Sequence, residues 1–415
     1  MYQARSWCAL PFALALLVAS ETRAQDRAFQ DAFALYRAGS VESARRVLVD
    51  ALAKSPSALD YSLLGSIEFE QGRLKDAEQH LRKALSITPG LSGTHVTLGT
   101  LLESSGRTAE ARQEFERALA ANPRNVDAVL ACIRYSIESG DPKKAETLAN
   151  RAAQIAPDDV RVLLAQARVR NLLGNSEGAL AGLLKARSLA PDDPAVLYAL
   201  GAMCLQMDLI KDATANLEKA SQLQPDNPAV RYALASARIA NHELPAAIDI
   251  YRDLLKADPG NAQVSYALGA TYYLSGSQDE ARRYFEQSIR LAPSQVESFY
   301  YLGLIAERDG DLEKSIELFN TVVQRQPGHA RAHIALGLAY RRLGKLPQAQ
   351  RELETAVRLS PDSQKAHYQL GLVDNALNQP ERAKAELAVA SRLRAENDDK
   401  VSWELAPSRS SPFPK

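Results

Sequence analysis

Hydrophobic and polar residues follow two short helical patterns in the segment from Ala58 to Pro89. Apolar or small side chains recur three or four positions apart in each half: Tyr61, Leu64, Gly65 and Ile67, then Ala77, Leu81 and Ala84. That spacing places them on one face of a helix. Gly72 separates the two runs and Pro89 ends the second, and both residue types interrupt helices. The pattern predicts two antiparallel amphipathic helices joined by a tight turn.

The same pattern recurs along most of the chain, and a column of prolines marks its period. The spacing between neighbouring prolines is 33 residues once and 34 residues thereafter: Pro56, Pro89, Pro123, Pro157, Pro191, Pro225, Pro259, Pro293, Pro327 and Pro361. A fixed period in this range is typical of stacked supersecondary units. Since each unit of such a stack contacts only its neighbours, the sequence predicts an all-α solenoid without a single central core.

Small residues mark the positions where helices approach closely. Glycine recurs in the first helix of seven units: Gly65, Gly99, Gly201, Gly269, Gly303, Gly337 and Gly371. The third and fourth units carry Ile133 and Ala167 at this position, and the sixth has His242 where the turn glycine is usual. Because the third and fourth units depart most from the pattern, we expect them to be the softest part of the array.

The repeated residues resemble a known family. The series Tyr61, Leu64-Gly65, Ala77, Leu81, Ala84 and Pro89 is similar to the tetratricopeptide repeat signature, and so is Leu268-Gly269, Tyr272, Ala281, Phe285 and Pro293. The resemblance implies a right-handed superhelical solenoid of about 11 helix–turn–helix repeats. We assign residues 25–57 to a degenerate capping repeat and 58–395 to ten full repeats. Residues 396–405 are expected to form a short cap, and 406–415 a disordered tail.

The first 24 residues have a different pattern. Arg5 precedes an apolar stretch from Cys8 to Ala19, and the sequence then turns polar and reaches the small residue Ala24. This order is typical of a bacterial secretory signal peptide cleaved after Ala24. It predicts an exported, periplasmic protein. The apolar stretch is shorter than the roughly 20 residues of a spanning helix, and an uncleaved anchor is the alternative interpretation.

Composition excludes several classes of function. Among 415 residues, Lys and Arg number 50 and Asp and Glu also number 50. The balance gives no indication of nucleic acid or an anionic membrane as partner, so membrane contact is expected only through other proteins. Besides Cys8 there are two cysteines, Cys132 and Cys204, two repeats apart on apolar helix positions. We predict that both are buried thiols.

No catalytic or cofactor-binding pattern is present in the sequence. It has no phosphate-binding loop, no Gly-x-Ser-x-Gly, no Cys-x-x-Cys and no His-Glu-x-x-His. His329 and His333 are four residues apart, but His95, His333 and His367 share a position that the resembled family fills with a large packing residue. We therefore predict no enzyme activity, no cofactor and no metal site.

A column of tyrosines marks a candidate binding surface. In the resembled family the first helix of each repeat lines a concave face, and one position there carries five tyrosines: Tyr198, Tyr232, Tyr266, Tyr300 and Tyr368. Neighbouring columns of the fifth to seventh repeats lack charge and include Leu205, Ile239 and Tyr273. An uncharged strip of this kind favours a binding patch. The alternative is that these tyrosines only pack between helices.

The same columns become basic towards the C-terminal end. The cations there are Arg308, Arg331, Arg341, Arg342 and Lys365. Together with the tyrosine strip they predict a groove with an apolar middle and a cationic mouth, and Tyr232→Ala with Tyr266→Ala is expected to abolish capture of a partner without unfolding. A solvated surface, partly neutralised by Glu297 and Glu307, is the alternative.

These features predict a scaffold that holds an extended or helical segment of a partner protein. The Lys and Asn residues with which chaperone-binding members of the family grip a terminal carboxylate are missing, because those columns hold Tyr, Leu, Ala and Ser. Tyrosine rings and arginines also suit sugars, so a polysaccharide-binding role in envelope glycan assembly or export is the alternative. The sequence leaves the oligomeric state open.

Overall fold

The computed structural model describes residues 23–397, and within them the chain forms 22 α-helices and no strand. The first eleven are α1 (Arg23–Arg37), α2 (Val41–Leu52), α3 (Ala58–Glu70), α4 (Leu74–Ile87), α5 (Ser92–Ser104), α6 (Thr108–Ala121), α7 (Val126–Glu138), α8 (Pro142–Ile155), α9 (Val160–Leu172), α10 (Ser176–Leu189) and α11 (Pro194–Gln206). The remaining eleven are α12 (Ile210–Leu223), α13 (Pro228–Ala240), α14 (Leu244–Ala257), α15 (Ala262–Leu274), α16 (Gln278–Leu291), α17 (Val296–Arg308), α18 (Leu312–Arg325), α19 (Ala330–Arg342), α20 (Leu346–Leu359), α21 (Gln364–Ala376) and α22 (Pro380–Asn397). The predicted all-α repeat architecture is confirmed.

The predictions for the two ends fall mostly on residues outside this range. The signal peptide lies there except for Arg23 and Ala24, which begin α1. The predicted cap lies there beyond Asn397, the last residue of α22, and so does the whole predicted tail. Among the described residues, no helix is long and apolar enough to cross a membrane.

Each repeat is a pair of helices, and the first helix of every pair from α3 to α21 begins 34 residues after the previous one. Just before most of these helices, a side chain accepts a hydrogen bond from a free backbone N–H group of the first turn. The Asn261 side chain, for example, accepts a hydrogen bond from the Val264 N–H at 3.0 Å. A left-handed residue ends most first helices, as at Gly310 with φ of 86° and at His242 with φ of 62°. The sequence period therefore reflects a fixed succession of cap, helix and turn.

Within a pair, a residue without a side chain lies against a large one. A Cβ at Gly303 would come within 2.5 Å of the Phe319 ring, so only glycine fits the present backbone spacing there. In the third repeat Ile133 takes the register position of this glycine, and Ala149 takes that of the large residue. Both are buried in one core cluster. The third repeat thus exchanges small and large instead of losing the packing.

The chain divides into two compact units, the first ending at Leu200 and the second beginning at Gly201. The core of the first unit is mainly aliphatic and includes Leu64, Leu98 and Leu101. That of the second is richer in aromatic side chains, with Tyr251, Phe285 and Phe319 fully buried. Five of the predicted binding residues belong to this aromatic core or pack against it: Tyr232, Ile239, Tyr266, Tyr273 and Tyr300.

The two cysteines of the described residues are buried thiols, as predicted. Burial raises the pKa of the Cys132 thiol to about 11. Since the thiolate is the reactive form, this cysteine has a structural role and little reactivity at neutral pH.

Candidate partner-binding face of the second unit

The predicted binding residues lie on the first helix of each pair. In α19 the side chains at the second, fifth, ninth, twelfth and thirteenth helix positions are Arg331, Ile334, Leu338, Arg341 and Arg342. We name the surface formed by these positions of α13, α15, α17, α19 and α21 the first-helix face. Contacts of α19 with both α17 and α21 make it continuous over the last three repeats.

Tyr266 lies in the packing beneath this face. Only 4% of the residue is exposed, and its ring centroid lies 6.0 Å from Phe285 and 6.1 Å from Tyr301. Tyr232 is half-buried, and its ring meets that of Tyr251 edge-on at 5.2 Å. Truncating Tyr266 would leave a cavity between helices. This burial argues against our expectation that Tyr232→Ala and Tyr266→Ala together leave the array folded, and that expectation stays a prediction.

Tyr300 connects the aromatic core to the surface. Its ring lies 5.8 Å from Phe319, 5.6 Å from Tyr301 and 5.1 Å from the imidazole of His329. Burial raises the pKa of Tyr300 far above 10, although the nearby Arg331 charge opposes that shift. Its hydroxyl therefore stays protonated at physiological pH. The residue offers an aromatic ring and a neutral hydroxyl, never a phenolate.

Exposure separates the predicted residues into three groups. Ile239 and Tyr266 are buried. Six are half-buried: Tyr198, Leu205, Tyr232, Tyr273, Tyr300 and Arg341. Five are exposed: Arg308, Arg331, Arg342, Lys365 and Tyr368. All lie in the second unit except Tyr198, which belongs to the first. Their role in binding remains a prediction, and the half-buried and exposed residues are the ones that a partner can reach.

Packing explains part of the uncharged strip. Ala202, Ile239 and Ala270 are buried, and the Ser236 hydroxyl lies 3.1 Å from the hydroxyl of Tyr251. Charge is missing at these positions because the helices are in contact there. The strip that a partner can reach is narrower than the sequence indicates, and Tyr273 belongs to it.

Two of the five cations on this face already have a carboxylate. Arg331 Nη2 lies 3.2 Å from Glu297 Oε2, and its guanidinium lies 5.2 Å from the Tyr300 ring centroid. Arg342 Nη1 lies 3.1 Å from Glu307 Oε1. These pairs confirm that the two glutamates neutralise part of the basic end.

The charges of the other three cations are not neutralised by a nearby carboxylate. In residues 23–397 no carboxylate lies within ion-pair distance of Arg308, Arg341 or Lys365. Arg308 is close enough to Tyr273 for its charge to oppose the rise in the tyrosine's pKa that burial causes. The face therefore has an excess of positive charge at its C-terminal end.

The sequence of the chain matches two protein-family models. One tetratricopeptide repeat model matches residues 68–130, 102–169 and 306–367, and a second matches residues 13–92, 205–262 and 266–330. The chain belongs to the tetratricopeptide repeat family. Repeats of this family imply a protein–protein interaction scaffold. None of the curated proteins matches its sequence.

Solved tetratricopeptide-like arrays have the same fold at low sequence identity. The APC/C hetero-tetramer Cut9–Hcn1 contains a chain with TM-score 0.51 and 14% identity, covering 90% of this chain and 94% of that chain. IFIT1 in complex with m7Gppp-AAAA gives TM-score 0.50 and 14% identity, with coverage of 89% and 90%. A tetratricopeptide repeat protein from Parabacteroides merdae gives TM-score 0.46 and 19% identity, with coverage of 60% and 98%. These likenesses concern the fold alone.

Within the repeat register, two features of the face were missed from the sequence. Tyr301 is buried, and its ring stacks on Phe285 at 5.1 Å, at a position where other repeats have alanine, such as Ala267. The ninth helix position carries half-buried leucines in the last three repeats: Leu304, Leu338 and Leu372. Aligning the repeats column by column reveals both features. The leucines add an aliphatic row between the tyrosines and the cations.

Proposed function

We propose that this chain is a non-enzymatic scaffold that holds a segment of a partner protein against the first-helix face of the second unit. The observation that carries the proposal is the combination of half-buried apolar side chains with unneutralised cations on one face. Tyr300 and Leu338 are examples of the apolar set, and Arg341 and Lys365 are examples of the cations.

The charge balance favours a particular kind of segment. On the first-helix face of the last three repeats, both glutamates are already paired with arginines, so a partner meets a net positive surface there. Apolar contacts supply most of the affinity in such interfaces, whereas opposite charges set register and the rate of association. We infer an extended or helical segment that carries aliphatic or aromatic side chains flanked by Asp or Glu.

The cellular setting in this proposal is the bacterial envelope. It is supported by the signal-peptide pattern of residues 1–24. Export would place the scaffold in the periplasm, where it would hold proteins that assemble or export envelope components. Contact with the membrane would come only through those partners. Nucleic acid is not expected as a ligand, since the chain has zero formal net charge.

A peptide selection tests the proposal directly. A library of displayed 12-residue peptides is panned against the mature chain and against an Arg341→Glu/Lys365→Glu variant. The control is Lys256→Glu/Lys384→Glu, which makes the same charge change on exposed residues of the second helices α14 and α22. We expect acidic, apolar peptides that bind the parent and the control but lose about tenfold or more in affinity on the variant.

Capture from an envelope extract with the same three proteins extends the test to natural partners. A protein retained by the parent and the control, and lost from the variant, supports the proposal. Equal retention by all three contradicts it and places binding elsewhere on the array. Retention of a polysaccharide without protein would replace the protein partner with a glycan.

A further inference from the structure

Three buried histidines lie at the same helix position in three repeats and have the same two neighbours. In each, Nδ1 lies 2.6–2.7 Å from a glutamate oxygen of the second helix, the pairs being His95–Glu114, His333–Glu352 and His367–Glu386. In each, Nε2 lies 2.8–3.1 Å from the backbone carbonyl of a proline six residues earlier: Pro89, Pro327 and Pro361. We name each set of histidine, glutamate and proline carbonyl a histidine clamp.

The neighbours of the ring set the number of protons in a clamp. A carboxylate and a carbonyl only accept hydrogen bonds, and a neutral imidazole has one N–H to donate. Both contacts are made only when the clamp contains one proton more than a neutral imidazole beside a carboxylate. This count is the same whether the extra proton lies on His333 or on Glu352. Without it, one of the two contacts sets lone pair against lone pair.

His329 provides a contrast within the same repeat. Its Nδ1 accepts a hydrogen bond from the Ala332 N–H at 3.0 Å, and its Nε2 lies 3.1 Å from Glu297. One nitrogen accepts and the other donates, so a neutral ring satisfies both contacts. The extra proton is therefore a property of the clamps and not of every buried histidine beside a glutamate.

Each clamp joins three segments of the array. Pro327 lies in the connection between α18 and α19, His333 lies on α19, and Glu352 lies on α20. The ring thus fastens both helices of one repeat to the junction with the previous repeat. Because His333 is only 8% exposed, water has little access to replace a lost bond.

Arginines of the second helices lie near the clamps. Around His333 the Glu352 hydrogen bond raises the pKa of the imidazole, while burial and the Arg358 charge on α20 oppose that rise. Arg117 on α6 lies 2.6 Å from Glu114, and Arg382 on α22 interacts electrostatically with Glu386.

We propose that the histidine clamps are proton-dependent fasteners of three repeat junctions, closed when they hold the extra proton and loosened when they lose it. The sign follows from linkage. A histidine whose folded pKa lies above its unfolded value of 6.5 contributes its full stabilisation below that value. It loses that contribution as the pH rises through the folded pKa. The junction at Pro327 therefore becomes weaker from acidic to mildly alkaline pH. The same hydrogen-bond geometry extends this expectation to the junctions at Pro89 and Pro361.

Replacing the three glutamates by glutamine removes the need for the extra proton. The amide NH₂ of glutamine donates to Nδ1, while the ring of a neutral histidine donates from Nε2 to the carbonyl. The Glu114→Gln/Glu352→Gln/Glu386→Gln variant should keep the clamps closed at every pH. A matched control is Glu146→Gln/Glu286→Gln/Glu317→Gln, which changes three exposed glutamates of second helices.

The test is hydrogen exchange of the full-length mature chain between pH 6 and pH 8.5, corrected for the intrinsic pH dependence of exchange. In the parent and the control, amides around the Pro327 junction should gain about tenfold in opening for each unit by which the His333 pKa exceeds 6.5. Amides around Pro89 and Pro361 should also open more as the pH rises. The clamp variant should show no such gain. Equal pH dependence in all three proteins would overturn the proposal.

A spectroscopic measurement covers the possibility that the triple variant folds poorly. Nitrogen chemical shifts of ¹⁵N-labelled histidine report whether each ring has one or two protons, and His333→Phe assigns the His333 signals. We expect two protons on His333 at pH 6.5 in the parent and one in the single variant Glu352→Gln. A singly protonated His333 beside an ionised Glu352, the latter read from the carboxyl ¹³C shift, would contradict the proposal at that pH.

Discussion

Arg331 and Glu297, which lie 34 residues apart at the same position of adjacent repeats, form an ion pair at 3.2 Å on the first-helix face. The pair is half-exposed, and pairs of this kind contribute at most about 1 kcal/mol to stability. Its larger consequence concerns charge. Glu297 neutralises an arginine that would otherwise add to the positive surface.

Glu297→Gln is therefore expected to strengthen binding of an acidic segment. The amide oxygen still accepts a hydrogen bond from His329, while Arg331 is released to pair with a ligand carboxylate. A gain of about fivefold in affinity at low salt corresponds to one exposed ion pair. Titration of a selected acidic peptide at two salt concentrations checks this, since the gain should shrink as salt screens the charges. An unchanged affinity would place the ligand away from Arg331.

Burial predicts effects of very different size on the free energy of unfolding for two tyrosines of the same column. Tyr266→Ala should destabilise the second unit by about 3–5 kcal/mol, because it removes a buried ring between Phe285 and Tyr301. Tyr368 is 44% exposed, so Tyr368→Ala should change stability by less than about 1 kcal/mol. Urea unfolding followed by circular dichroism measures both. Only Tyr368→Ala is then suitable for testing a role of the column in binding.

These two tyrosines show which features of the structure can be predicted from the sequence. Its period predicts the helices, the turns and the column to which each residue belongs. It does not predict which members of a column are covered, because that depends on the size of residues on neighbouring helices. Tyr266 is buried since Tyr301 fills the space beside it, where most repeats have alanine. The sequence also does not predict which cations form ion pairs. Arg331 pairs with Glu297, whereas Arg341 has no carboxylate within ion-pair distance among the described residues.

Asp60 is a buried carboxyl group that should destabilise the first unit at neutral pH. It is 1% exposed, one of its oxygens has no hydrogen-bond partner, and burial raises its pKa above 3.8. The repeats at α9, α11, α13 and α15 carry valine at this position. We expect Asp60→Val to raise the free energy of unfolding at pH 7 by about 1–3 kcal/mol.

The pH dependence gives this prediction its sign. An acid whose folded pKa is raised binds protons more tightly in the folded state, so its cost appears as the pH rises above 3.8 and is complete above the folded pKa. The advantage of Asp60→Val should therefore fade as the pH falls towards 4. Urea midpoints at pH 7 and pH 4 measure the difference. A variant less stable than the parent at pH 7 would mean that the carboxylate has a favourable partner.

Ile133 and Ala149 should prove to be a coupled pair. Gly303 and Phe319 show the usual arrangement of small against large, and the third repeat reverses it. Ile133→Gly should cost about 3–5 kcal/mol through the cavity and the glycine itself. Ala149→Leu alone should overpack the site by about 1–3 kcal/mol. In the double variant the two effects should largely cancel, and a double-mutant cycle measures the coupling. Simple additivity would show that the two positions do not share a cavity.

Because Ile133 and Ala149 reverse the usual small and large positions and keep the third repeat packed, the fourth repeat is the expected weak point of the array. The third repeat compensates for its missing glycine, whereas the fourth places Ala167 opposite Leu183. Its helices also leave four leucines exposed: Leu172, Leu173, Leu184 and Leu189. A helix pair that leaves so much of its apolar surface in water gains less from packing.

Native-state hydrogen exchange can locate the weak repeat because each pair contacts only its neighbours. We expect amides of α9 and α10 to exchange through the opening of lowest free energy among the internal repeats. Leu172→Gln and Leu184→Gln should not weaken that repeat further, since both leucines are exposed. The slowest amides of the first unit lying in α9 would contradict the prediction. Faster hydrogen exchange in α7 than in α9 would instead mean that the reversed pair of Ile133 and Ala149 packs poorly.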